Sequence, residues 1–437
     1  MKEISCYFLL LFIIACSKTQ NTTSVIPPSN PTVPIIIPPT TSSSILYPVN
    51  TLDSFSAINK TTSWYNTTKA MTQLFDVFAS KYWGFQLQTN GSLTPYNTST
   101  TSTYNASNEY YWNDLGTYLY ADFTGDGKKD LWAYYWKNPF PTNMPGLHLF
   151  SEYEIKPGIY DLQKGLTQVR KCVVSDMDND KNPDIMLFSS GYDKSPFPGD
   201  SLAIFYPKEL KYQYLSSDIG YYHGGAVGDI NNDGLVDIVG YSGWSAVVPV
   251  HPTCYLNKGN RNFELSKQVF SNFNTTSDNY YTVELFDINA DGYLDLFLGS
   301  LKTLRVIPNA SGVFNRAKAI DFPVDPSEEL MDLAFLDFDF DGKIDVLTMS
   351  NKAGYNGYSM KLYLNKGSSF IDATKSYFDI SEEIGNNAWI KWIRLFDYDG
   401  DGDLDVVADG LFGELQGNKG KRIFWKNDAG KFRQIKP

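Results

Sequence analysis

Apolar residues in this chain fall in short runs rather than in long helical stripes. In AVGDINNDGLVDIVGY and LAFLDFDFDGKIDVLTM, β-branched and aromatic residues stand on both sides of an acidic break, the pattern of two strands joined by a turn. Further along each unit comes a second landmark: CYLNKGNRNFEL from Cys254, RVIPNASGVFNRA from Arg305, LYLNKGSSFIDA from Leu362 and FWKNDAGKFRQI from Phe424. These read strand, Asn/Gly turn, strand. A unit is therefore four strands, and it recurs every 50 to 60 residues. That period and strand number predict an all-β propeller of four-stranded blades.

The acidic breaks are six nonapeptides: DFTGDGKKD from Asp122, DMDNDKNPD from Asp176, DINNDGLVD from Asp229, DINADGYLD from Asp287, DFDFDGKID from Asp337 and DYDGDGDLD from Asp397. Position 1 is thus Asp122, Asp176, Asp229, Asp287, Asp337 and Asp397, and position 3 is Thr124, Asp178, Asn231, Asn289, Asp339 and Asp399. Position 5 is Asp126, Asp180, Asp233, Asp291, Asp341 and Asp401, and position 9 is Asp130, Asp184, Asp237, Asp295, Asp345 and Asp405. Oxygens at 1, 3, 5 and 9, with the backbone carbonyl at 7 (Lys128, Asn182, Leu235, Tyr293, Lys343 and Asp403), suit the oxygen cage of Ca²⁺. About six such ions are expected. Gly at position 6 allows the sharp turn with φ > 0, except in the second copy, which has Lys181 there and Pro183 at position 8. An EF-hand is excluded: position 12 is Ala133, Leu187, Gly240, Leu298, Thr348 and Ala408, never the bidentate Glu, and the flanks have strand rather than helix period.

The repeats resemble the FG-GAP or VCBS family of calcium-binding propeller repeats, best in LFDYDGDGDLDVV from Leu395 and FDINADGYLDLFL from Phe286. The resemblance covers roughly Leu115 to the C-terminus. It implies the integrin-α type of seven-bladed ring, with calcium loops on one face and ligand on the other. No Phe-Gly…Gly-Ala-Pro run is present, and the first part of the globular region lacks a metal loop.

Residues 115–437 hold the six loops, and 49–114 are about one more blade in length. Seven blades follow if this stretch is a degenerate first blade, as WGFQLQTNGSLTPYN from Trp83 suggests. The helical spacing of Ala70, Met71, Leu74, Phe75 and Phe78 supports the alternative, a six-bladed ring with an N-terminal cap. Residues 1–15 read as a signal peptide whose apolar segment is too short to span a membrane, ending in an Ile-Ile-Ala-Cys run that resembles a bacterial lipobox. Cys16 would carry the lipid, and residues 16–48, rich in Ser, Thr and Pro, would form a tether. The expectation is an exported, monomeric lipoprotein, at the outer membrane, touching the membrane through its anchor only.

The net charge of −12 would be neutralised by six Ca²⁺, and no basic cluster is left for nucleic acid. Cys172 and Cys254 fall at different strand positions of different units, which favours two buried thiols over a disulfide. Sequons at Asn66, Asn97, Asn105, Asn274 and Asn309 reflect an Asn- and Thr-rich composition. No nucleophile elbow or phosphate loop occurs, and the three histidines lack metal spacing. Aromatic residues make up 15% of the chain, and many fall between units, on the rim away from the loops. Such residues are either platforms for a ligand or wedges between blades; examples are Tyr135, Trp136 and Phe140, then Tyr221, Tyr222 and His223, then Tyr241 and Trp244, Tyr355 and Tyr358, and Trp389 and Trp392. Trp136, Tyr192, Trp244 and Tyr355, with His223, are the expected ligand contacts. The favoured function is binding of a glycan or protein at the cell envelope; the alternatives are a polysaccharide lyase or hydrolase on the same scaffold and an assembly factor for an envelope complex.

Overall fold

The structure, a computed structural model, describes residues 85–87, 93–95, 115–121, 123, 130–135, 147–151, 154–155 and 166, and then 169–435 apart from 192–194, 210, 244, 246, 274–278, 386–391, 397–403 and 410–422. All of these lie in one compact unit, Ile35–Pro437. Among them, six sheets follow one another along the chain, each built on a path of four antiparallel strands. The first is Leu115–Ala121, Asp130–Tyr135, Leu147–Ser151 and Glu154–Ile155; the second is Val169–Ser175, Asp184–Ser189, Asp200–Tyr206 and Lys211–Gly220. The third is Tyr222–Gly228, Asp237–Ser242, His251–Asn257 and Phe263–Leu265; the fourth is Thr282–Phe286, Asp295–Gly299, Leu304–Ile307 and Ile320–Asp321. The fifth is Glu329–Leu336, Asp345–Asn351, Gly357–Asn365 and Phe370–Asp372, with Glu382–Ile384 added to its third strand. The sixth is Trp392–Phe396, Asp405–Asp409, Ile423–Asn427 and Phe432–Ile435.

In all six, an acidic nonapeptide joins the first strand to the second, and position 9 opens the second strand opposite the last residue of the first. The first strand of every sheet lies alongside the first strand of the next, from the first sheet to the sixth. This is the arrangement of consecutive propeller blades.

The core sits between sheets, which explains why the strands read as continuous apolar runs. Val169–Ser175 is buried almost throughout. Successive side chains point to opposite faces, so Cys172 and Val174 join a cluster with Phe123 before the second sheet, while Val173 joins Met186, Phe188, Tyr222 and Ile238 between the second and third. Comparable clusters fill the third-to-fourth, fourth-to-fifth and fifth-to-sixth interfaces. Each buried Phe or Leu contributes about 1.5–3 kcal/mol. Gly225 is required by this closeness, because a Cβ there would overlap the Phe188 ring.

A buried ion pair adds to the apolar contacts. Lys171 in the second sheet reaches the Glu284 carboxylate and the Val283 carbonyl (3.1 Å) of the fourth. Both thiols are free and buried, as expected, and burial pushes both pKa values up. Of residues 49–114, only the hairpin Phe85–Leu87 with Leu93–Pro95 is described, the strand pair expected around Trp83. The helical stretch expected at Thr67–Trp83, the tether and Cys16 lie outside the described residues.

Candidate metal centres on the aspartate loops

Four loops are described in full, and they share one set of hydrogen bonds. In the third, Asp229 accepts from the N–H groups of Asp233 (3.0 Å) and Gly234 (2.7 Å), Asn231 accepts from Asp233 (3.0 Å), and Asp233 accepts from Leu235 (3.0 Å). The second, fourth and fifth loops repeat it through Asp176, Asp287 and Asp337 at position 1. Backbone N–H groups thus aim the acidic side chains toward the inside of the turn. The loop turns at two positions with left-handed φ. Position 6 is the expected one, with Gly234 at 86°, Gly292 at 90° and Gly342 at 84°, and Lys181 forced to 70°. Position 4 is the other: Asn179, Asn232, Ala290 and Phe340 take φ of 64°, 59°, 59° and 58°. Only the Asn residues there carry a side chain suited to that conformation, so no sequence rule marks the position.

The position-9 aspartates are the buried members. Asp237, Asp295, Asp345 and Asp405 have no exposed surface and Asp184 only 4%. One oxygen accepts from the position-2 N–H: Met177 to Asp184 (2.9 Å), Ile230 to Asp237 (3.2 Å), Ile288 to Asp295 (3.3 Å) and Phe338 to Asp345 (2.8 Å). In the third to sixth sheets the other accepts from the N–H of an Asn at or just past the end of the third strand, as Asn257 to Asp237 (2.8 Å) and Asn427 to Asp405 (2.7 Å). Burial, opposed by these donors and reinforced by neighbouring carboxylates, pushes Asp184 up to about 8, Asp237 and Asp295 to about 7 and Asp345 to about 6.

Carboxylate oxygens of Asp176, Asp178 and Asp184, and of Asp337, Asp339 and Asp345, each lie within 4.8 Å of one another. Positions 1, 3 and 9 therefore converge; Asp180 and Asp341 at position 5 are not among the converging groups. In the third and fourth loops, position 3 is Asn231 and Asn289, which replace the third carboxylate with an amide oxygen. This donor set fits a hard divalent cation: it is all oxygen and partly dehydrated, and burial pushes its position-9 acids toward protonation unless a cation offsets it. Two loops also hold cationic side chains. Arg261 bonds Asp178 (2.7 Å) and Glu209 (2.6 Å), and Lys366 bonds Asp339 (2.7 Å) and lies 3.5 Å from Asp341. Asp122, Thr124, Asp126 and Lys128 of the first loop, and Asp397, Asp399, Asp401 and Asp403 of the sixth, lie outside the described residues, while Asp130 and Asp405 open their second strands as expected.

At the other end of the first strands, aromatic rings run across three connections. Phe197 meets Tyr221 edge-on at 5.8 Å, Tyr221 meets His223 at 5.0 Å, and His223 meets Tyr281 at 4.9 Å. Asn279 donates to the Tyr281 hydroxyl (2.7 Å). His223 is half-buried in this run. Trp136, Tyr192 and Trp244, and the side chain of Tyr355, lie outside the described residues. Of the rings left open between platform and wedge, four are core wedges: Tyr221 is 4% exposed, Tyr222 fully buried, and Tyr241 and Tyr358 1% exposed. Their positions between units are the same as those of a platform, and only burial separates the two roles. Phe197 and Tyr281 are not found from sequence because nothing in their local spacing marks them. The sequon at Asn309 is committed to main-chain bonds and 3% exposed, consistent with a compositional origin.

A family model described as an FG-GAP-like repeat matches residues 287–348 and 337–408, the fourth to sixth loops. Comparison with curated proteins gave no match. Among solved structures, an Agrocybe aegerita lectin that recognises non-reducing terminal N-acetylglucosamine is similar at 17% identity and a TM-score of 0.45, over 80% of this chain and 85% of that one. An ancestral GH74 enzyme has 13% identity and a TM-score of 0.45, over 74% of this chain and 38% of its own. An exotype rhamnogalacturonan lyase has 13% identity and a TM-score of 0.37, over 72% and 65%. These are distant likenesses. Repeat motif, loop position and family match agree that residues 287–408 carry FG-GAP-like repeats.

Proposed function

We propose that this protein is a calcium-stabilised β-propeller, exported and anchored through Cys16, that binds a glycan at the cell envelope. Convergence of the position 1, 3 and 9 aspartates carries the metal half of this reading. In it each of the six loops takes one Ca²⁺, and residues 49–114 complete a seventh blade. The binding half rests on the half-buried rings of Phe197, His223 and Tyr281 at the end of the sheets away from the loops. Flat rings beside an amide such as Asn279 suit a sugar, which offers an apolar face and hydroxyl edges.

A glycan array and a pull-down from envelope extract, both in calcium buffer, test it. Binding to a defined glycan that is lost in His223→Ala and Tyr281→Ala, with unchanged melting, is the expected result. Capture of a protein with no glycan signal would replace the ligand class, and new ultraviolet absorbance on incubation with acidic polysaccharide would turn the reading to a lyase. Labelling of Cys16 by a lipid precursor tests the anchor.

A further inference from the structure

The asparagines of the Asn/Gly turns do more than turn the chain. Asn257 and Asn365 end the third strands of the third and fifth sheets, Asn309 lies two residues beyond the third strand of the fourth, and the three are 1%, 4% and 3% exposed. The N–H of each holds its own sheet's position-9 aspartate: Asp237 (2.8 Å), Asp295 (2.9 Å) and Asp345 (2.7 Å). The side-chain amide of each donates to its own loop at position 8, to the carbonyls of Val236, Leu294 and Ile344, all at 3.1 Å. The same amide crosses to the preceding sheet and donates to the position-2 carbonyl of that loop: Met177 (2.9 Å), Ile230 (2.8 Å) and Ile288 (3.3 Å).

Position 2 is the residue whose N–H holds the position-9 aspartate of its own loop. The bonds therefore form a chain. Asp184 is held by Met177, whose carbonyl is held by Asn257, which holds Asp237; Asp237 is held by Ile230, which Asn309 ties to Asp295; and Asp295 is held by Ile288, which Asn365 ties to Asp345. The side chains of Met177 and Ile230 are fully buried, so position 2 cannot shift within one loop without disturbing the next sheet. The amide of each Asn thus donates to two loops, its own and the preceding one.

We propose that these asparagines are positioning residues that couple adjacent aspartate loops, so that calcium binding in one loop favours binding in the next. The proposal rests on the calcium reading above. An ion that orders Asp237 also orders the peptide at Ile230, and through Asn309 it orders Asp295 before the fourth loop is filled. Removing a loop should then weaken its neighbour, and removing the bridging asparagine should make the two loops independent.

Native mass spectrometry of the full chain, titrated with calcium, counts bound ions at each concentration. The wild-type protein is expected to fill cooperatively, with intermediate ion counts under-populated. Asp229→Ala, which removes the position-1 carboxylate of the third loop, should lose one ion and raise the calcium needed for the next step about five-fold or more, the usual size of a coupling between sites. Asn309→Ser combined with Asp229→Ala should show no such rise beyond Asn309→Ser alone. If Asn309→Ser does not fold, the comparison of Asp229→Ala with wild type still decides. A statistical distribution of ion counts, or an Asp229→Ala protein that loses one ion and keeps its other steps unchanged, would overturn the coupling while leaving calcium binding in place. No bound ion in the wild-type protein would overturn both.

Discussion

His251 shows how the environment of one side chain fixes its charge. Its Nδ1 faces the Pro249 carbonyl at 2.8 Å and its Nε2 faces both oxygens of Asp218 at 2.9 and 3.0 Å. Neither the carbonyl nor an ionised Asp218 can donate, so these contacts favour the ring protonated on both nitrogens. Burial acts against that charge, but the Asp218 carboxylate and the carbonyl outweigh burial and the Lys267 charge, and the His251 pKa is raised from 6.5. Asp218 also accepts from Thr253 (2.6 Å) and Tyr222 (3.1 Å), and it is lowered from 3.8 although burial alone would raise it. The raised histidine contributes stability that is complete below its unfolded value and is lost as pH rises through its folded value. The lowered aspartate contributes above its unfolded value and loses this as pH falls through its folded one. The pair is thus strongest from about pH 4 to 6.5. His251→Gln should lower the melting temperature at pH 6 and have a smaller effect at pH 9 in the same calcium buffer; an equal loss at both would show that the contact is not charged. Asp397→Ala should lower the calcium-bound melting temperature more than Asp122→Ala, because positions 1, 3 and 9 of the sixth loop are all Asp whereas the first has Thr124 at position 3.

At the scale of the loop, position 6 is a matched comparison supplied by the chain itself. Gly342 has φ of 84°, and a methyl group added there would meet no atom within 4 Å, so Gly342→Ala would cost backbone strain alone, about 1 kcal/mol. Lys181 already carries that strain at φ of 70°, and Lys181→Gly should raise stability by about 1 kcal/mol. Urea unfolding of both variants checks the pair, and an opposite sign in either would refute the strain account. The loop is largely legible from sequence because its requirements are local: acids at fixed spacing, Gly at the left-handed turn, apolar strands on both sides. What sequence does not show is non-local. Nothing in CYLNKG or RVIPNASG says that Asn257 and Asn309 reach a carbonyl 80 and 79 residues earlier in the chain. Tyr222 and Tyr241 cannot be told from surface platforms, because their sheet is covered on both faces and the alternation that marks an exposed face is absent. Position 4 is invisible for a third reason, since Ala290 and Phe340 have no preference for the conformation they adopt.

Across the whole molecule, the sheets are held by apolar interfaces, by the asparagine bridges and by a deeply buried ion pair. Lys171 and Glu284 are 5% and 4% exposed and join the second sheet to the fourth. Burial pushes the Glu284 carboxyl up while the ammonium pulls it down. Lys171→Met would leave a buried acid without its cation, a change that costs about 3–5 kcal/mol in comparable pairs, and Lys171→Met with Glu284→Leu should recover most of it. A double variant as unstable as the single one would mean that the pair's geometry, not its charge balance, matters. The calcium loops add a further term at the same scale, because an ion that binds only the folded state stabilises by RT ln(1 + [L]/Kd), about 2.7 kcal/mol per site at a hundredfold excess over Kd. The most direct measurement is thermal unfolding of the full chain in excess EDTA against millimolar calcium. A melting temperature that rises steadily with free calcium is the predicted result, and the same midpoint in EDTA and in calcium would contradict the central claim that these aspartate loops are metal sites.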